Sequence, residues 1–247
     1  MSRIEHYRNE LQALRVWEPY LRRNSGLPGP RGNLELAHAA AGIAGEAQIE
    51  GFLQTPPDEA AENTPGVFLV FCGVLGLGFL TARGAADEWD RLRQYAADQR
   101  WRIREAVAIA LQLVGDHDMR VLLKKMRSWN RGGWYEKRAV AAALAEPRLL
   151  KPPVTVRHVI TLFNQITGAI ESAPADKPAA FKVLRQTMGY AWSVAVAAAP
   201  EAGKSAMESW SVSDNADVRW IMRENLRKNR LIKLDARWVN SCLARLK

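Results

Sequence analysis

The chain of 247 residues is poor in the side chains that carry most protein chemistry. It has two cysteines, Cys72 and Cys242, far apart and each inside an apolar run. With no C-x-x-C pair, neither a thiolate metal site nor a disulfide framework is indicated. The four histidines, His6, His38, His117 and His158, are dispersed. No H-E-x-x-H or i, i+4 pair is present, so a helix-borne zinc site has no ligands. No G-x-S-x-G elbow marks a serine nucleophile. The run Gly73-Val74-Leu75-Gly76-Leu77-Gly78 stops short of a dinucleotide loop, because Thr81 stands where a third glycine is needed and no strand precedes it. These glycines are instead expected to let a neighbouring helix come close. Asp116-His117-Asp118 does put acids beside an imidazole, but in a turn between helices Asp118 reads as a helix cap. No catalytic residue, metal or cofactor is therefore expected.

Long period-two alternation is also missing, which argues against a sheet. Apolar residues make up 48% and charged residues 25%, an ordinary globular composition that excludes disorder of the whole chain. The N-terminus, Met1-Ser2-Arg3-Ile4-Glu5-His6-Tyr7-Arg8, mixes both signs of charge and lacks the apolar core of a signal peptide. Together with the scarcity of cysteine, this sets a cytoplasmic expectation. Val67 to Ala82 is the one membrane candidate. At ~1.5 Å per residue it reaches about 24 Å, short of a hydrocarbon core of ~30 Å, so a buried helix is expected and no membrane partner.

What the chain does have is tryptophan, nine of them, and a formal charge of +9. The charge is uneven. Residues 1–66 hold six basic and nine acidic side chains, whereas residues 91–138 hold twelve basic and five acidic. Residues 214–247 hold nine basic and four acidic. An acidic N-terminal part precedes a basic remainder, the distribution to explain if the partner is an anion.

Helical periodicity dominates. Ile103, Ala106, Val107, Ala110, Leu111 and Val114 follow the i, i+3, i+4 spacing of a core-facing stripe, with Asp98 expected to cap that helix and Gly115 to stop it. A second helix follows Asp118 and ends near Trp129-Asn130-Arg131-Gly132-Gly133, with Lys124, Lys125 and Arg127 facing out. The unit then recurs: Trp101 to Leu111 aligns with Trp134 to Leu144 at a spacing of 33, sharing an Ala-Val-Ala-x-Ala-Leu tail. Asp217 to Leu226 is a third copy that places Arg219 over Arg104 and Lys137, and Tyr190 to Ala197 is a looser one. Such a period is the mark of an α-solenoid.

Asp217-Val218-Arg219 before an apolar helix, and Trp101-Arg102-Ile103-Arg104-Glu105-Ala106 likewise, resemble the start of the second helix in HEAT-like (armadillo-type) repeats. The likeness covers roughly residues 90–145 and 185–232. It implies an all-α fold, a right-handed α-α superhelix in which an Asp and an Arg of successive repeats form a ladder. One helical-repeat domain over residues 1–247 is expected, with less regular helices in 1–90 and HEAT-like repeats with a basic surface in 91–247. A more distant similarity is to the HEAT-like DNA alkylation-repair glycosylases, which place a catalytic Asp in a Trp-Asp-x-x-Asp context. Here Trp89-Asp90 is followed by Arg93 where the second Asp would stand, so that motif is not matched.

The candidate binding residues are Trp101, Arg104, Lys137, Arg219, Trp220, Arg223, Arg227 and Arg230. Arg219, Arg223, Arg227 and Arg230 advance by four, four and three, which on one continuous helix aligns them along one face. They serve either as a ladder neutralised by Asp214, Asp217, Glu224 and Asp235, or as a basic wall. The recurring tryptophans fit repeat-to-repeat packing as well as a stacking surface. The expected function is a non-enzymatic scaffold holding a protein partner on its concave face; the alternative is nucleic-acid binding by a basic, Trp-lined groove.

Overall fold

The computed structural model describes residues 1–246, and among these it contains only helices and connections, with no strand. The chain divides into two compact units, Met1–His117 and Asp118–Lys247.

The first unit holds α1 (Arg3–Gln12), α2 (Glu18–Asn24), α3 (Leu34–Ile43), α4 (Glu46–Leu53), α5 (Pro65–Ala82), α6 (Glu88–Tyr95) and α7 (Trp101–His117). The start of α1 is a capping box. Ser2 Oγ accepts from Glu5 N, and Ser2 N donates to Glu5 Oε2 at 2.8 Å, so two end donors are satisfied reciprocally. The centre of the unit is α5, which packs against α2, α3, α4, α6 and α7. It is the one helix among the described residues that is long and apolar enough to cross a bilayer, yet 78% of it is buried within the protein. Its glycines allow this crowding. A Cβ on Gly76 would stand 2.6 Å from Ile49 of α4, and one on Gly78 would stand 2.7 Å from the Ala110 Cα of α7. Only a residue without a side chain lets α4 and α7 lie this close.

The expected boundaries of α7 need two corrections. The helix runs through Gly115, which is buried, and ends at His117. It begins at Trp101, and Asp98 serves the approach instead of the first turn, its Oδ1 accepting from Arg100 N at 2.8 Å and its carboxylate pairing with the Arg100 guanidinium.

The second unit holds α8 (Met119–Trp129), α9 (Trp134–Leu144), a short 3-10 turn at Pro147–Leu149, α10 (Pro153–Glu171), α11 (Ala179–Ala198), α12 (Pro200–Trp210), α13 (Ala216–Leu226) and α14 (Asn229–Arg245). Asp118 caps α8 as expected, accepting from Arg120 N and Val121 N. The central helix is α11, which packs on α9, α10, α12, α13 and α14. Here polar groups lock the packing. Asn225 of α13 is fully buried; its Oδ1 accepts from Ser193 N at 2.8 Å, and its Nδ2 donates to Met188 O and Ile221 O. Trp192, also fully buried, donates from Nε1 to Thr167 Oγ1 of α10 and meets Phe163 edge-on. These amide and indole groups have their partners, so burying them carries no unpaired-group penalty.

The helix predicted from Arg219 to Arg230 is broken. α13 ends at Leu226, Lys228 is extended, and Arg230 belongs to α14. Leu226 and Leu231 are both fully buried. Five residues apart on one helix they would point about 140° away from each other, so the chain must break for both to reach the core. A second break lies inside α14 at Asp235, whose non-helical backbone lets its Oδ1 cap Trp238 N while the carboxylate pairs with Lys204 at 2.7 Å.

Candidate functional site

The aligned segments start helices at the same letter: α7 begins at Trp101 and α9 at Trp134. Their aligned cations then do the same work. Arg104, 7% exposed, donates from Nη1 to Asp98 O and Gln99 O, the carbonyls just before its helix. Lys137 Nζ donates to Gly132 O, again just before its helix, and lies over the Trp134 ring. Burial holds the Lys137 ammonium below its ordinary pKa, with Glu136 opposing.

The C-terminal arginines have separate employment. Arg219 and Arg223 both donate to Leu246 O, at 2.9 and 2.6 Å, at the carbonyl end of α14. A helix C-terminus carries partial negative charge, so it supplies the anionic partner that neighbouring guanidinium groups need. Arg227 pairs with Glu224 at 2.9 Å, and Arg230 is exposed. Trp220 lies beneath the Arg185 guanidinium, 3.9 Å from its ring centroid, and against Gly189. Asp217 pairs with both Arg185 and Lys177. Thus Trp134, Trp192 and Trp220 serve packing within the second unit.

Trp101 differs from the others. It is 44% exposed and lines a recess whose walls are mainly apolar, Leu27, Leu34, Phe68 and Phe71, with Arg31 and Glu105 beside them. Its ring is held by Arg102, whose guanidinium lies 4.4 Å from the ring centroid. Arg102 is 4% exposed and is itself fixed, donating to Gly29 O at 2.7 Å and to Asn63 Oδ1. Asn63 sits at φ 62, in the left-handed region that Asn tolerates, and its Oδ1 also accepts from Gly29 N. Trp101 N donates to Glu62 Oε2 at 2.8 Å. The indole is therefore presented on a rigid mount.

A second concavity, about 490 Å³, lies in the other unit and is lined by Arg127, Asn130, Arg131, Lys137, Gln165 and Ala169. Of these, Lys137 alone is among the candidate binding residues of the sequence. Asn130 and Gln165 are 35 positions apart, so no local pattern joins them. The clue that could have been read is the pair of basic residues flanking the Trp129-Asn130 helix end.

Burial pushes the thiols of Cys72 and Cys242 up, away from the reactive thiolate. Among the described residues, no group of three or more acidic, His or Cys side chains is placed to hold a metal. Trp89 is buried in α6 while Asp90 is exposed. In comparisons with known proteins, no family model, no curated protein and no solved structure matches the chain.

Proposed function

We propose that the chain is a non-catalytic helical-repeat scaffold of the HEAT-like kind that binds a protein partner, with Trp101 as its anchor. The observation that carries this reading is the half-exposed indole, clamped by Arg102 beside an apolar recess. Tryptophan heads the residues that dominate protein interfaces, and an anchor already fixed in place loses little side-chain entropy on binding. The repeat reading draws support from the matching starts of α7 and α9 and from the matching roles of Arg104 and Lys137. The Asp217–Arg185 pair between α13 and α11 is the kind of contact a ladder requires. A protein partner is preferred to nucleic acid because Arg104, Lys137, Arg219, Arg223 and Arg227 spend hydrogen bonds inside the protein.

The test is a photo-crosslinking amino acid placed at Trp101, and at exposed Val212 as a control, in the full chain expressed in cells. A discrete protein adduct at position 101 only is expected. Once that partner is purified, Trp101→Ala should weaken binding by about 2 kcal/mol or more with no change in melting temperature. Adducts consisting of nucleic acid, or the same adducts from both positions, would overturn the reading.

A further inference from the structure

The basic concavity of the second unit is built where α8 ends and α9 begins. Arg127 lies in the last turn of α8, Asn130 is its C-cap, Arg131 follows in the turn, and Lys137 lies in the first turns of α9. Gln165 and Ala169, four apart on α10, complete the lining. No carboxylate lines the concavity. The neighbouring Glu136 is turned to the start of α9, where it accepts from Gly133 N. Arg127 and Arg131 are exposed, and neither guanidinium has an ion-pair or hydrogen-bond partner among the described residues. Lys137 uses one of its three N–H donors on Gly132 O.

The amide pair beside these cations is incomplete. Asn130 is 7% exposed and donates from Nδ2 to Gln165 Oε1 at 2.8 Å, but its Oδ1 accepts nothing. Turning both amides over together keeps their mutual hydrogen bond and puts an Asn130 N–H where the unpaired oxygen now is.

We propose that this concavity is an oxyanion site that takes a phosphate monoester, with Arg127 and Arg131 as its principal donors and Lys137 completing it. The charge balance decides the ligand class. A carboxylate or a phosphodiester brings one negative charge against two exposed guanidinium groups, while Lys137 already has the Glu136 charge nearby. A phosphate monoester carries ≈ −1.5 to −2 and three terminal oxygens, which guanidinium groups grip in pairs. The site lies in a different unit from Trp101 and does not rest on the partner-binding reading.

Calorimetric titration of the full chain with inorganic phosphate, at ionic strength held constant with chloride, tests the site. Saturable binding of one phosphate per chain is expected. Arg127→Gln and Arg131→Gln should each weaken it about tenfold without moving the melting temperature, whereas Arg120→Gln, on the same helix but outside the concavity, should not weaken it. Two further arms identify the source. O-phosphoserine and a phosphoserine peptide should both displace phosphate if the monoester sits on a protein; displacement by the free amino acid alone points to a small molecule. Failure of phosphate to bind, or binding unmoved by both arginine substitutions, would overturn the proposal. So would an oligonucleotide lacking terminal phosphates that displaces phosphate from the wild-type chain, since diesters would then suffice.

Discussion

The two units solve one problem, how to fix a central helix, by opposite means. In Met1–His117 the centre is α5, apolar on all sides and seated by glycines that let α4 and α7 approach. In Asp118–Lys247 the centre is α11, seated by buried amide, hydroxyl and indole groups that each find a named partner. The first arrangement depends on shape and dispersion, where any added atom is felt. The second depends on directional bonds, where any removed atom leaves an orphan.

The largest effect is expected from the second kind. Asn225→Ala removes three buried hydrogen bonds, to Ser193 N, Met188 O and Ile221 O, and should cost about 3 kcal/mol at roughly 1 kcal/mol per bond, measured by urea denaturation. Hydrogen exchange should rise in α11 and α13; an equal rise in α5 and α7 would break the contrast. Next comes Gly78→Val, which drives side-chain atoms into the backbone of α7 and should cost about 2–3 kcal/mol. A Gly78→Val protein as stable as the parent would show that α7 can shift, and that close approach is not what seats α5. The smallest effect concerns acid. The Asp235 carboxyl is held below its ordinary value first by the Lys204 hydrogen bond and then by Trp238 N. A depressed carboxyl contributes stability above the unfolded value of about 3.9 and loses it as pH falls through the lower folded value. Asp235→Asn should therefore flatten the acid limb of the stability profile in that window and leave its neutral region with a constant offset. An unchanged acid limb would remove Asp235 from the polar scheme of the second unit.

Much of the helical plan was legible in the sequence, and the reason is local. The start of α9, the Asp118 cap and the close approach at Gly76 and Gly78 all follow from spacing or from one residue's lack of a side chain, whereas α7 starts at Trp101, past the expected Asp98 cap. The arginine stripe misled for the same reason. The spacing of Arg219, Arg223, Arg227 and Arg230 is helical, and only the joint burial of Leu226 and Leu231 shows that the helix must break between them. Asn225 looked like one polar letter among several, although it holds α13 to α11. The concavity around Arg127 was invisible because Gln165, which closes the amide pair, arrives from a distant helix.

A helix with apolar residues on every side, as α5 has, carries no instruction about its own roll. An amphipathic helix is oriented by the contrast between its wet and dry faces; α5 has no such contrast and could settle at any azimuth on composition alone. What orients it is missing matter. The flats at Gly73, Gly76 and Gly78 admit Leu53, Ile49 and Ala110 at one rotation, and a turn about the axis would bring bulky side chains against them. The rotational setting of the first unit's centre is thus written in absent atoms, and a single methyl group can erase it.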